Sequence, residues 1–133
     1  MNQREILAYH LESSKHDRKI CLKLFDDKEY LSSLFFAHLS IEKLLKILIV
    51  QNTGQLPPYI HQLVQLLKRS KIEINDNNIN SFLIELTEYN ILGRYPEYKA
   101  KVRKILRQEF VYDKIQKYLS LYDYLCSKIK PSA

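Results

Sequence analysis

Apolar residues recur along this chain at intervals of three and four, the spacing that places them on one face of an α-helix. The clearest repeat occupies the positions Leu31, Leu34, Phe35, His38, Ile41, Leu45 and Leu48. Asp26 or Asp27 offers an N-cap before this repeat. Gly54 and Pro57-Pro58 then end it, because glycine favours a left-handed C-terminal cap and proline cannot extend a helix. The pattern therefore predicts one long central helix.

Three further segments before residue 96 carry helical periodicity or helix-end signals. Residues 4–25 form a first helix with an apolar stripe and a polar middle. Residues 59–69 form a short third helix with a single apolar face. A fourth helix starts after an N-cap at Asn75 or Asp76 and ends near Gly93.

The remainder of the chain is helical again after Pro96, whose fixed φ enforces a break. Its apolar positions follow a heptad-like order: Val111, Ile115, Tyr118, Tyr122, Leu125 and Ile129. QEFVY, at 108–112, weakens the helix preference, so we expect a kink around 107–111. This aromatic stripe has more apolar surface than one neighbouring helix needs, so we expect a homodimer through this helix or the first one.

The predicted fold is an all-α, up-and-down bundle of four to five helices, in one domain that spans residues 1–133. Two glycines and four prolines leave little material for turns, which disfavours many short strands. The hydrophobic fraction of 46% and the charged fraction of 27% are those of a globular protein. No repeat, low-complexity tract or interdomain linker interrupts the pattern.

The net charge limits the kinds of binding partner to expect, and the cysteines indicate the cellular compartment. The formal net charge of +6 admits an anionic partner such as RNA, a nucleotide or an acidic protein surface. Cys21 and Cys126 lack the spacing of a metal site or redox motif, so we expect two reduced thiols in the cytoplasm. The N-terminus has no continuous apolar region of the signal-peptide type, and ILIV at 47–50 is too short to span a bilayer. No membrane association is therefore expected.

Most familiar enzyme signatures are absent from the sequence. Two isolated glycines cannot make a phosphate-binding loop or a dinucleotide fingerprint. His10 and His16 lie on different helix faces, and no HExxH motif or Cys/His cluster occurs, so we expect neither a metal nor another cofactor. A Ser-His-Asp triad has no local signature either.

Three groups of polar residues remain as candidates for a site. In the central helix, His38 and Glu42 share a face, and Lys43 and Lys46 share an adjoining one. Glu42 and Lys46 also have the spacing of the commonest helix-surface ion pair, worth only about 0.3–0.5 kcal/mol. That pair is the simpler interpretation if the central helix is considered alone.

The second and third groups are His61 and a basic segment. His61 is predicted in the first turn of the third helix, where water would satisfy a histidine that has no ligand. GRYPEYKAKVRKILR, at 93–107, holds six cations against the single acid Glu97. Such a run is usually a solvated face, but Tyr95 and Tyr98 are placed to stack on bases while the cations meet phosphates. Arg94 lies in a constrained Gly-Arg-Tyr-Pro turn.

Taken in order, three strings of this chain resemble the HEPN domain, a small helical bundle of prokaryotes and higher eukaryotes. They are AHLSIEKLLKILIV, PPYIHQLVQLL and LTEYNILGRYP. The resemblance runs from about residue 5 to residue 128, and its most specific positions are Ala37, Glu42, Lys43, Lys46, His61, Leu63, Arg94, Tyr95 and Pro96. It implies two kinds of function. Some members are paired with a minimal nucleotidyltransferase in toxin–antitoxin-like modules, and others are metal-independent ribonucleases with an active site across a homodimer.

The ribonucleases of this family resemble one another in an Arg and a His separated by four to six residues. Counted from Arg94, that His would stand at Lys99, Ala100 or Lys101, where none occurs. Arg4 and His10 have the spacing, but at the wrong end of the chain. We therefore expect a binding protein rather than a nuclease, unless the fold brings His38 or His61 beside Arg94.

The resemblance thus predicts a non-catalytic protein that binds a nucleotide, RNA or a partner nucleotidyltransferase. The residues expected to line its site are Glu42, Lys43, Lys46, His61, Arg94 and Tyr95. Arg94 would clamp a phosphate or pair with Glu42, Tyr95 would pack or stack, and His61 would donate a hydrogen bond. A purely structural alternative also stays open: a semi-buried Glu42–Arg94 pair that locks the turn after the fourth helix onto the second.

Overall fold

The computed structural model describes residues 2–92 and 94–131, and its regular secondary structure in these ranges is entirely helical. Its helices are α1 Gln3–Asp26, α2 Tyr30–Thr53, α3 Leu63–Ser70, α4 Ile79–Leu92, α5 Pro96–Ile105 and α6 Gln108–Lys128. The predicted all-α bundle is confirmed. The described ranges hold six helices, because the expected kink is a full break at Leu106 and Arg107, which separates α5 from α6.

α2 is the central helix, and α1, α3, α4, α5 and α6 all pack against it. Apolar residues on several sides of α2 explain this position, since a helix that is apolar all round is stable only when buried. It ends as predicted at Gly54, whose φ of 72° is left-handed and whose N–H donates to the Val50 carbonyl. The predicted N-cap is wrong. Glu29 occupies that position, and Asp27 instead caps the C-terminus of α1, which continues to Asp26.

The polar middle of α1 is explained by a buried hydrogen-bonded seam with α2 and α6. Ser14 Oγ donates to the Ser40 carbonyl at 2.8 Å and lies 3.4 Å from the Tyr122 hydroxyl. Ser40 Oγ donates to the Ala37 carbonyl, so the Tyr118 hydroxyl, 2.5 Å away, donates to Ser40. Small polar residues on α1 therefore face the core without leaving unsatisfied groups.

The aromatic stripe of α6 is mostly buried within the bundle. Val111, Ile115, Tyr118, Tyr122 and Leu125 are all buried, and the two tyrosine rings contact each other edge-on. These five side chains are therefore unavailable to a partner, although α6 exposes Phe110, Tyr112 and Tyr124 elsewhere. The homodimer through this helix or the first one stays a prediction.

The short elements differ from the sequence predictions at their starts. α3 begins at Leu63, so His61 lies in an extended segment before the helix rather than in its first turn. α4 begins at Ile79, and Asp76 caps a preceding turn by accepting the Asn78 N–H at 2.9 Å. The last helical residue of α4 is Leu92, and the predicted stop at Gly93 lies outside the described residues.

None of the helices in the described ranges combines the length and apolarity needed to cross a bilayer.

Candidate functional site

Glu42 is the centre of a polar cluster on the side of α2 that faces the segment before α3. Its side chain is largely buried, and both carboxylate oxygens are occupied. Oε1 lies 2.9 Å from Nδ1 of His61, and Oε2 lies 3.2 Å from Nζ of Lys46. The predicted proximity of Glu42, Lys46 and His61 is therefore present in the fold. Because its oxygens are already engaged, Glu42 orients its neighbours rather than offering itself to a ligand.

His61 is held at two points and exposed at a third. Its ring Nδ1 contacts Glu42, and its backbone carbonyl lies 3.0 Å from Nε2 of His38. Its side chain is 53% exposed, and its Nε2 has no hydrogen-bond partner among residues 2–92 and 94–131. The imidazole therefore presents one nitrogen to solvent from a fixed position.

His38 fixes that position from inside the core, where its side chain is fully buried. Nδ1 of His38 lies 3.2 Å from Nδ2 of Asn90, which can only donate. Nδ1 must then accept, so Nε2 carries the proton and donates to His61. Burial lowers the pKa of His38, and the charge of Arg94 also acts to lower it. A neutral His38 is not ion-paired with Glu42, although the two lie 3.9 Å apart.

Asn90, the hydrogen-bond partner of His38, was not anticipated from the sequence. It is buried on α4, 52 positions from His38 along the chain. Its signal was its place in LTEYNILGRYP, about one helical turn before the predicted stop at Gly93. His38, which the sequence offered as a possible replacement for the missing histidine, ties α2, α4 and the His61 segment together.

Arg94 and Tyr95 follow α4 in a turn in which the N–H of Arg94 donates to the Ile91 carbonyl at 3.1 Å. Both side chains are exposed. Arg94 is near enough for its charge to act on His38, but it forms no ion pair with Glu42 within 4.0 Å in the part of the chain described. The expected Glu42–Arg94 pair is therefore wrong, because His61 and Lys46 already occupy the carboxylate.

Lys43 points to a different neighbour. Its Nζ lies 2.6 Å from Oδ2 of the buried Asp17 and 2.7 Å from Oγ of Ser13, both on α1. The structure thus separates Lys43 from the Glu42–His61 contact, and its observed role is to join α1 to α2.

His10 extends the polar cluster toward α1. Its Nδ1 is buried and has no hydrogen-bond partner among the described residues. Burial lowers its pKa, and the charges of Lys43 and Lys46 lower it further. Sequence reasoning considered His10 only for metal spacing and for the Arg-His motif. Within the described ranges, no group of three or more His, Cys, Asp or Glu side chains is arranged to hold a metal ion.

The basic segment is a mostly exposed surface in α5 and just after it. Lys101, Arg103, Lys104 and Arg107 face solvent, and Arg103 lies 4.0 Å from Glu29. The side chains of Tyr98 and Lys99 lie outside the described residues. Among the cations whose side chains are described in this segment, Arg94 is the one whose charge lowers the pKa of His38.

The chemistry available at the cluster is that of an anion site. Lys46 and Arg94 contribute two positive charges near one carboxylate, and His61 adds a hydrogen-bonding nitrogen. One positive charge is left over even with His61 neutral. His61, Arg94 and Tyr95 are the exposed members of the cluster, whereas Glu42 and Lys46 are largely buried.

Comparison with known families gives one match, the sequence profile of the HEPN domain, over residues 7–126. This range includes every residue of the polar cluster. No curated protein and no solved structure matches the chain.

Proposed function

Because the chain belongs to the HEPN domain family, we propose that it is a non-catalytic protein that binds the phosphates of RNA or a nucleotide. The proposed binding surface, called here the Glu42 cluster, comprises Glu42, Lys46, His61, Arg94 and Tyr95. The observation that carries the proposal is the double anchoring of His61, which holds a half-exposed imidazole beside Lys46.

The charges of the cluster support a phosphate ligand. Glu42 neutralises one of the two positive charges of Lys46 and Arg94. The exposed guanidinium of Arg94 provides a planar set of donors to phosphate oxygens. In the neutral imidazole of His61, Nδ1 carries the proton and donates to the Glu42 carboxylate, so Nε2 can only accept. When protonated, the ring would also donate to a phosphate oxygen from Nε2.

The exposure of His61, Arg94 and Tyr95 favours RNA over an enclosed mononucleotide. A small ligand is usually buried in a concave pocket, whereas these three side chains face solvent. A single-stranded polymer needs only a basic surface and an aromatic side chain on which a base can stack. The half-exposed Tyr95, next to Arg94, supplies such a ring.

The test compares Arg94→Ala with Arg69→Ala, an exposed arginine outside the cluster. Binding of a fluorescein-labelled single-stranded RNA is followed by anisotropy at several salt concentrations. We expect Arg94→Ala to reduce the affinity about tenfold and to lower the salt slope by about one, as loss of one phosphate contact predicts. Arg69→Ala should change neither. Equal affinity of wild type and Arg94→Ala for RNA and for ATP would overturn the proposal.

A second candidate function is metal-independent RNA cleavage, and the Glu42–His61 contact is the specific observation that favours it. A buried carboxylate on one imidazole nitrogen, with the other nitrogen exposed, is the arrangement of a general base held by an orienting group. His61 would then replace the histidine that is missing at 99–101. The test incubates the protein with structured RNA in EDTA. Cleavage that is lost in both His61→Ala and Arg94→Ala supports this function, and no cleavage of any RNA removes it.

The proposed assembly is a cytoplasmic homodimer, with a minimal nucleotidyltransferase as a further partner in a toxin–antitoxin-like module. The outer side of α1, where Ile6 and Tyr9 are exposed, is the surface proposed for the dimer. Tyr9→Glu should shift the sedimentation coefficient to that of a monomer. A wild-type protein that is monomeric at every concentration contradicts the dimer. Copurification of a nucleotidyltransferase encoded in the adjacent reading frame tests the partner.

A further inference from the structure

A groove of about 950 Å³ lies between the first half of α1 and the C-terminal end of α6. Its lining is mainly apolar and shares no residue with the Glu42 cluster. The apolar lining residues are Leu7, Ala8, Leu11, Ile47, Val50, Cys126, Ile129 and Pro131. Its floor is α2, because Ile47 and Val50 are buried there between the two walls.

The groove exists because α1 and α6 meet along only part of their lengths. Arg18 lies over the Tyr122 ring at 5.0 Å, and Phe25 contacts Tyr112 with ring centroids 6.2 Å apart. Both contacts use the second half of α1. Of the helices in the described ranges, only α2 packs extensively against α1. Together with the Ser14–Tyr122 contact, the two ring contacts place the meeting of α1 and α6 at Ser14 and beyond, so the earlier turns of α1 face α6 across the groove.

The wall of the groove opposite α1, formed by the segment after α6, is held in place by hydrogen bonds. Gln51 donates from Nε2 to the Lys130 carbonyl at 3.0 Å and accepts the Lys130 N–H at 2.9 Å. This pair of hydrogen bonds holds the segment after α6 against α2, so the groove does not need a ligand to form.

The charged side chains of the lining are all positive. Arg4 and Lys15 lie on α1, Lys130 lies on the opposite wall, and no Asp or Glu belongs to the lining among the described residues. Arg4 and Lys15 are eleven positions apart, which is about 17 Å along a helix. The groove is thus about three helical turns long, with a cation near each end.

We propose that this groove binds an acidic amphipathic α-helix of a partner protein. The apolar face of that helix would lie on α2 between α1 and α6, where a helix fills the place that the bundle leaves open. Its carboxylates would stand about three turns apart, opposite Arg4 and Lys15. This inference does not rest on the Glu42 cluster, and either proposal can fail alone.

Charge complementarity selects this occupant over a second copy of the chain. The chain has a net charge of +6, and a second copy would bring more positive charge toward an already positive rim. The exposed apolar residues of α1, Ile6 and Tyr9, also lie on the flank away from the groove, as 3.6 residues per turn requires.

The probe for the test is a synthetic fluorescein-labelled helix of about four turns, with leucine on one face and glutamate on the other. Its matched control carries lysine in place of glutamate. We expect the glutamate peptide to bind with an anisotropy change that weakens with salt, and the lysine peptide to bind at least about tenfold more weakly. Equal binding of the two peptides overturns the proposal.

Protein variants then locate the site. Ala8→Glu places a carboxylate in the groove at an exposed helical position, so the fold should be retained and the binding lost. Lys15→Glu should weaken binding about tenfold, whereas Lys19→Glu, the same change elsewhere on α1, should not. Binding that Ala8→Glu leaves intact contradicts the proposed groove.

The rate of alkylation of Cys126 reports on binding in the groove of the wild-type protein. It lines the groove and is partly exposed, whereas Cys21 is fully buried and burial raises its pKa to about 11. The glutamate peptide should slow alkylation of Cys126 and leave the slow reaction of Cys21 unchanged. Protection by dodecanoate without protection by the peptide would identify a small amphiphile as the ligand and overturn the helix. A concentration-dependent dimer abolished by Ala8→Glu would overturn it in favour of a second copy.

Discussion

Glu42 binds the ring of His61 through an Oε1–Nδ1 contact of 2.9 Å, although 19 positions separate the two residues along the chain. The same carboxylate binds Lys46 one helical turn away, with an Oε2–Nζ distance of 3.2 Å. A single buried acid therefore sets the position of two groups on the proposed binding surface. Removing it should affect both stability and ligand binding.

Replacing Glu42 with alanine should lower the free energy of unfolding by about 1–3 kcal/mol, because Lys46, largely buried, loses its charge partner. Urea unfolding measures the change. Glu12→Ala is the control, since Glu12 makes a long, exposed pair with Lys15 at 4.0 Å and should change stability by less than about 0.5 kcal/mol. Equal effects of the two substitutions would show that the Glu42 carboxylate is not structurally important.

Lys43→Ala should destabilise the protein without weakening RNA binding. The substitution leaves the Asp17 carboxylate buried without its cation, 2.6 Å away in the native chain, at a cost of about 1–3 kcal/mol. Adding Asp17→Asn should recover part of that loss, because an uncharged amide needs no counter-ion. Anisotropy with the labelled RNA is the second measurement. A large loss of RNA affinity in a well-folded Lys43→Ala variant would show that Lys43 belongs to the binding site.

Stability should fall as pH is lowered through the histidine range. Burial lowers the pKa of His38 below the ordinary value of 6.5, so the unfolded chain takes up a proton that the folded chain resists. The loss starts near the unfolded pKa and continues down to the folded one, with a slope of at most about 1.4 kcal/mol per pH unit for this group. His10, whose pKa is also lowered, acts in the same direction.

Urea unfolding between about pH 7.5 and about pH 5 tests this dependence. His38→Gln keeps an acceptor for Asn90 and a donor for the His61 carbonyl, so the slope should decrease more than in His10→Ala. A wild-type stability that is constant over this range contradicts a neutral buried His38.

Tyr118→Phe should cost about 0.5–1.5 kcal/mol, because the buried hydroxyl that donates to Ser40 Oγ is lost. Tyr118 is fully buried, and this burial raises the pKa of its hydroxyl. Tyr124→Phe is the matched control, since its hydroxyl donates to the Glu73 carbonyl at an exposed position. Differential scanning calorimetry compares the two variants. If Tyr118→Phe were as stable as Tyr124→Phe, the buried hydrogen bond between Tyr118 and Ser40 would not contribute to stability.

The long helices could be predicted from the sequence, since their signals are local. The intervals of three and four in α2, the Gly54 cap and the heptad-like order of α6 each follow from contacts within a few turns. The starts of the shorter helices were wrong by a few residues. Ile79 follows the polar segment 75–78, in which the side chain of Asp76 stabilises a turn instead of the helix. The later start of α3, at Leu63, has no equally local signal.

The candidate site, like the fold, could be predicted from the sequence only in part. Spacing alone paired Glu42 with Lys46, and the family resemblance put His61 and Arg94 in the same site. Neither could separate Lys43 from its neighbours, because its partner Asp17 is 26 positions away. The same limit applies to Asn90, whose contact with His38 spans 52 positions.

What the sequence determined by itself was therefore the helical class, the family and the residue types available for chemistry, all of which depend on periodicity and order along the chain. The tertiary structure alone decided which groups meet. The Glu42 carboxylate contacts His61 and Lys46 instead of Arg94, Tyr118 and Tyr122 of α6 are buried, and a positive groove remains beside α1. Each of these outcomes depends on how helices distant in sequence pack around α2, and hydrophobic periodicity carries no information about that arrangement.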